Sequence, residues 1–168
     1  MLTLLKRSEK INKGFSVIEI LISIFIVLVV FINFLGIIAF SLKSADFVKR
    51  ANQANFLAQE TVEAVRNFRD GTDWDIDGLG VINPNVDYYP ALTASASPNW
   101  IMVLGTENID GFNRKVVFQR VSRDPATKEI EPVYNAFNDD PDTRKAVVTI
   151  SFGEKSIEVV TYFTNWRQ

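Results

Sequence analysis

The stretch KINKGFSVIEILISIFIVLVV, residues 10–30, decides the fold and contains one contradiction. It opens with charge, turns almost wholly apolar at Phe15, and then carries a carboxylate, Glu19, inside the apolar run. Between residues 15 and 40 only Ser16, Glu19, Ser23, Asn33 and Gly36 are not apolar. As a helix this segment spans about 39 Å, more than the roughly 30 Å core of a bilayer. Lys10 and Lys13 stand before it, and basic residues on that side favour a cytoplasmic N-terminus. The run is long for a signal-peptide core of about 7–15 residues, and no small-x-small cleavage pattern follows it. A carboxylate at the centre of a membrane helix costs about 2.5–3.5 kcal/mol on insertion scales, and less near an end, where Glu19 sits. A plain anchor explains the length and the orientation. It leaves Glu19 unexplained.

Composition narrows the function classes. The chain has 168 residues and a formal net charge of −2, with no basic stripe to engage nucleic acid. Residues 1–14 hold Lys6, Arg7, Lys10 and Lys13 against Glu9. Removing these from 18 basic and 20 acidic residues leaves 14 against 19, so an acidic body of −5 follows a basic start. There is no Cys, which excludes a disulfide framework, a thiolate metal site and a thiol nucleophile. There is no His, which removes the commonest general base and most zinc sites. No carboxylate pair, Lys or Ser stands at catalytic spacing, so the chain is read as a non-enzyme without an active site.

Beyond residue 40 the pattern changes without a break. From residue 43 to 69 there is neither Pro nor Gly. Ala51, Ala54, Ala58, Val62 and Val65 recur at spacings of three and four, with Leu57 and Phe68 beside them and charged or amide residues between. That is an amphipathic helix. Gly71 is expected to cap it. A single helix of about 55 residues follows, apolar all round over 15–40 and two-faced over 41–69. Asn33 and Gly36 are expected to loosen it locally.

Residues 70–98 are rich in Asp, Gly, Pro, Asn and Ser and read as a long loop with at most one short strand. Then the period becomes two. Strands are expected over 100–104, 113–122, 146–152 and 157–164, and residues 108–112 carry a turn signal. Asp110-Gly111 is a hairpin signal and residues 153–156 form a second turn. DPATKE and NDDPDTRK read as loops. The expectation is an α+β fold: a long N-terminal helix packed on a small antiparallel sheet of about four strands, with residues 70–168 as the globular head.

Lys13-Gly14-Phe15-Ser16-Val17-Ile18-Glu19, followed by an apolar helix, resembles the cleavage and methylation signature of type IV pilins and type II secretion pseudopilins. The motif covers about the first 30 residues. It combines a short basic leader, Gly-Phe, a Ser and a lone Glu four residues after the Phe. A helix passing onto an antiparallel sheet also looks like the pilin fold. The resemblance implies that a prepilin peptidase cuts between Gly14 and Phe15, removes residues 1–14 as a cytoplasmic leader, and N-methylates Phe15. It implies that Glu19 serves subunit assembly by pairing with the Phe15 ammonium of a neighbour.

The implied protein is a structural subunit of a bacterial type IV filament. It is inserted in the inner membrane by one pass with its N-terminus inside, and its head is extracytoplasmic. Its partners would be the prepilin peptidase, other pilin or pseudopilin subunits, an inner-membrane assembly platform and membrane lipid. Two alternatives stand beside it: a pseudopilin of a type II secretion system, and an uncleaved membrane-anchored extracytoplasmic binding domain. Two departures are visible. Many pilins have a Pro about where Gly36 stands, and many close a C-terminal loop with a disulfide that a Cys-free chain cannot form.

Asp73-x-Asp75-x-Asp77-Gly78 matches the first half of a calcium loop, in which alternating carboxylates converge on one hard cation. The second half departs, with Val81 and Pro84 where ligands belong. Asp73, Asp75 and Asp77 are therefore a candidate calcium site, against a solvated turn as the commoner meaning of such a fragment. The acidic run 139–142 reads the same way. Trp74, Trp100 and Trp166 are expected to pack in the core or at the sheet edge rather than serve as adhesive contacts.

Overall fold

The computed structural model describes residues 16–166. The chain divides into two compact units, Met1–Asp46 and Phe47–Gln168. One helix, α1 (Val17–Gly71), is 55 residues long, the length that the two consecutive patterns predict. It starts where the Ser16 carbonyl accepts the amides of Glu19 and Ile20 at 2.9 and 3.2 Å. Neither Asn33 nor Gly36 interrupts it. Its last turn ends differently from expectation. Gly71 is the final helical residue and has no positive φ, so it does not act as a left-handed cap. The Thr72 hydroxyl instead donates to the Phe68 carbonyl at 2.7 Å and satisfies one of the orphan acceptors at that end.

In the second unit α1 buries Ala54, Ala58, Thr61, Ala64, Val65 and Phe68. Ala51, Leu57 and Val62 are partly covered beside them. The stripe has the predicted helical spacing and is built mostly of small residues, so the helix backbone can lie close to the sheet. Thr61 is fully buried and keeps its hydroxyl satisfied by donating to the Leu57 carbonyl at 2.7 Å.

The sheet has six strands, two more than expected. They are β1 (Asp87–Leu92), β2 (Trp100–Leu104), β3 (Glu107–Ile109), β4 (Phe112–Ser122), β5 (Asp139–Phe152) and β6 (Lys155–Thr164). The order is β2-β1-β4-β5-β6, with β3 paired to β4, and every pairing is antiparallel. β1 and β3 share one edge of β4: β1 pairs at Val116 and Val117, β3 at residues 112–114. Phe112, Val116 and Phe118 of β4 alternate inward beside Ala146, Val148, Ile150 and Phe152 of β5, and with Tyr88 and Phe163 they form one core with the helix stripe. Each large side chain closed off in this way contributes about 1.5–3 kcal/mol.

The hairpins follow turn chemistry. Asp110 and Gly111 both take positive φ, 51° and 82°, as the two-residue turn between β3 and β4 requires. Between β5 and β6 only Gly153 does, at 59°. One expected loop proved to be strand. NDDPDTRK lies mostly within β5, because the register jumps from Arg120↔Arg144 to Val121↔Asp140. Residues 141–143 have no partner on β4, although Thr143 still pairs with Thr164 of β6, and a bulge is where a strand tolerates Pro141.

Candidate functional site

In the first unit every described residue is exposed. An 18-residue window of α1 reaches a mean hydropathy of 3.0 with none of it buried. The helix is long and apolar enough to cross a membrane and lies near the N-terminus. Val17, Phe25, Phe31, Ile37 and Phe40 are each more than half exposed. So large a continuous apolar surface is the mark of a lipid or protein contact.

The polar residues in this surface are handled locally. The Ser23 hydroxyl donates to the Glu19 carbonyl at 2.7 Å, and the Asn33 amide donates to the Val29 carbonyl at 2.7 Å. Both use the acceptor four residues back, which hides a polar group against the helix itself. Glu19 has no such device. It lies in the first turn of α1, where the helix dipole favours an acid. Its carboxylate is exposed, and among the described residues no cation forms an ion pair with it. Gly14 and Phe15 lie outside the described residues.

Asp73, Asp75 and Asp77 fall in the turn just after α1. The Asp77 carboxylate accepts the Asp73 amide at 2.8 Å and the Asp73 carboxylate accepts the Asp75 amide at 3.1 Å. The Asp73 and Asp77 carboxylates thus cap main-chain donors of the turn. Among the described residues no group of three acidic side chains is arranged to hold a metal ion.

The tryptophans divide. Trp74 is buried in the core and Trp100 packs beside it. The Trp74 indole donates to the Pro141 carbonyl at 3.1 Å. Trp166 is 60 % exposed, and its indole donates to Asp70 at 3.1 Å. A cleft of about 620 Å³ opens where α1 ends, lined by Phe68, Thr72, Asp77, Thr93, Asn99 and Trp100. Its hydroxyls serve the fold: Thr72 bonds Phe68 as above, and Thr93 accepts the Asn99 amide at 3.0 Å.

Two buried arginines escape a reading of the sequence. Arg114 occupies an inward register position on β4, between Phe112 and Val116, with its side chain 5 % exposed. Its guanidinium reaches Glu60 of α1 at 3.0 Å, pairs with Glu107 of β3 through two nitrogens, and donates to the Pro90 carbonyl of β1. The usable signal was a cation breaking an otherwise apolar period of two. Arg144 donates to the Pro141 and Gly80 carbonyls at 3.1 and 2.8 Å. Its Nε is buried without a hydrogen-bond partner among the described residues, and burial lowers the guanidinium's pKa. Nearby, burial works against the Asp140 charge, but hydrogen bonds from Thr143 and Arg123 and the Asp142 amide prevail and hold its pKa below the usual carboxylate value.

These ionic groups tie structural elements together. Among the described residues the long exposed apolar surface is the apolar half of α1, and Glu19 is the one acid within it. No protein-family model, curated protein or solved structure matches the chain.

Proposed function

We propose that the chain is a pilin-like structural subunit of a bacterial type IV filament. A prepilin peptidase removes residues 1–14 and methylates Phe15, and the subunit then assembles through the apolar half of α1. Before assembly it sits in the cytoplasmic membrane with its N-terminus inside and its head outside. An assembly platform in the same membrane and further subunits are its partners, and the role is structural.

Glu19 carries the reading. An anchor alone has no use for a charge in an exposed apolar helix. A charge one turn from a new terminus at Phe15 has a specific use. In a bundle of staggered helices, the Phe15 ammonium of one subunit and Glu19 of the next both leave water. Paired, they neutralise each other; slipped by a turn, both are stranded. Glu19 therefore sets the axial register of a head-to-tail contact that does not close, and such contacts make filaments.

Replacement of Glu19 tests this. Glu19→Ala should reach the membrane at normal levels, because it removes a charge from an apolar segment. Its recovery in sheared filaments should fall about tenfold or more, the consequence of leaving the partner ammonium buried alone. Wild-type recovery of Glu19→Ala in filaments contradicts the reading.

A further inference from the structure

The three tryptophans of the head differ in what their indole N–H groups do. Those of Trp74 and Trp166 donate to the Pro141 carbonyl and to Asp70. Trp100 is half-buried against the core, and its N–H meets no acceptor among the described residues. A buried indole ordinarily finds a partner. Trp100 instead lines the cleft of about 620 Å³ at the end of α1, a volume within the roughly 300–1,000 Å³ of small-molecule sites.

Other groups on the same walls are unused by the fold. The Asn99 side chain hydrogen-bonds nothing among the described residues. Its main chain is nevertheless held twice: the Asn99 amide donates to the Thr93 hydroxyl at 3.0 Å, and the Asn99 carbonyl accepts the Thr93 amide at 2.9 Å. Asn67 donates its side-chain nitrogen to the Glu63 carbonyl at 2.9 Å, which leaves its amide oxygen as an acceptor. Asp77 accepts the Asp73 amide through one carboxylate oxygen and keeps the other. Phe68 and Ile101 add apolar wall. The cleft thus sets donors and acceptors around an apolar surface, on main chain that is already ordered. Groups fixed beforehand lose little freedom on binding.

The lining decides between ligand classes. Among the described residues it holds no Lys or Arg, so a phosphate or carboxylate would be buried without a counter-charge. Asp77 is its one acid, too few for a hard cation such as calcium, which takes about 6–8 oxygens. A wholly apolar ligand would leave the amides and the indole N–H unpaired. A neutral pyranose fits what remains, with hydroxyls that donate and accept on a ring that has an apolar face.

We propose that the cleft binds a neutral pyranoside. Asn99 and Trp100 donate to its oxygens, Asn67 and Asp77 accept from its hydroxyls, and Phe68 and Ile101 lie against its C–H face. The cleft lies wholly within the second unit. The proposal therefore stands apart from the filament reading and holds whether or not the N-terminus is processed.

Full-length chain purified in a detergent without a sugar headgroup tests it, with EDTA present so that no metal bridges ligand to Asp77. The probes are the methyl glycosides of glucose, galactose, mannose and N-acetylglucosamine and, as an acidic comparison, of glucuronic acid. Saturation-transfer NMR should show a neutral glycoside bound with a Kd of about 1 mM, as expected of so small a ligand. The glucuronide should bind about tenfold more weakly or not at all. Asn99→Ala should weaken the neutral glycoside about tenfold, the loss of one hydrogen bond to the ligand. Its thermal midpoint should not move, because that side chain bonds nothing in the fold. Trp100→Phe keeps an aromatic ring against the core, removes the N–H, and should weaken binding by a similar factor. Absence of saturable binding by every neutral glycoside overturns the proposal. So does a preference for the glucuronide, or binding that Asn99→Ala leaves unchanged.

Discussion

Arg114 shows what one residue contributes to the head. Its side chain is 5 % exposed, while its partners Glu60 and Glu107 are 42 % and 32 % exposed. The guanidinium has therefore left water, and the carboxylates have done so only in part. Arg114→Ala removes a buried charge-assisted network and leaves acids that can partly rehydrate, so a loss of about 2–3 kcal/mol is expected. Glu60→Gln leaves Glu107 in place and should cost less than about 1 kcal/mol. Denaturant unfolding of the two variants checks the ranking, and equal costs would contradict it. This network was only half legible. The pattern Phe112-x-Arg114-x-Val116 places the Arg inward once the strand is accepted, but polar residues are ordinarily read as outward. Its partners are remote in the chain, and only tertiary packing brings them together. Glu19 was legible for the opposite reason: its oddity is one-dimensional, an acid in an apolar run.

At the scale of elements, the loop after α1 is fastened to the β5 bulge from both sides. The Trp74 indole donates to the Pro141 carbonyl, and Arg144 donates to the Gly80 carbonyl. The loop closes on itself where the Gly80 amide donates to the Trp74 carbonyl at 2.9 Å. A methyl group at Gly80 would stand 2.5 Å from the Trp74 carbonyl oxygen and 2.6 Å from its ring. Since the first of these is main chain, Gly80→Ala must shift the loop. It should destabilise the head by about 1–3 kcal/mol, seen as a lower denaturant midpoint with an unchanged slope. A wild-type midpoint would show that the loop is not packed this way. The helix and the Asp110-Gly111 hairpin were readable because each follows from a local pattern or a local turn preference. The start of β5 was not, since Asp, Pro and Thr there have the composition of a loop. It is strand because β4 and β6 pair with it on either side and the bulge absorbs Pro141. β1 is the one short strand allowed for in residues 70–98, but the Pro- and Asn-rich composition there hid its place.

At the scale of the whole molecule, the two units divide the physical work. The second unit closes its own core between the alanine-rich stripe of α1 and one face of the sheet. The first unit buries nothing among its described residues; on the proposed reading its apolar surface is covered first by lipid and then by neighbouring helices. Glu19 costs free energy in the first setting and gains a partner in the second, provided that the chain begins at Phe15. The central claim therefore turns on that terminus. Intact-mass and N-terminal peptide mass spectrometry of the protein purified from its own host is the most direct test. The account predicts a chain beginning at Phe15 with a single methyl group on its amine. A chain that retains Met1 would contradict it.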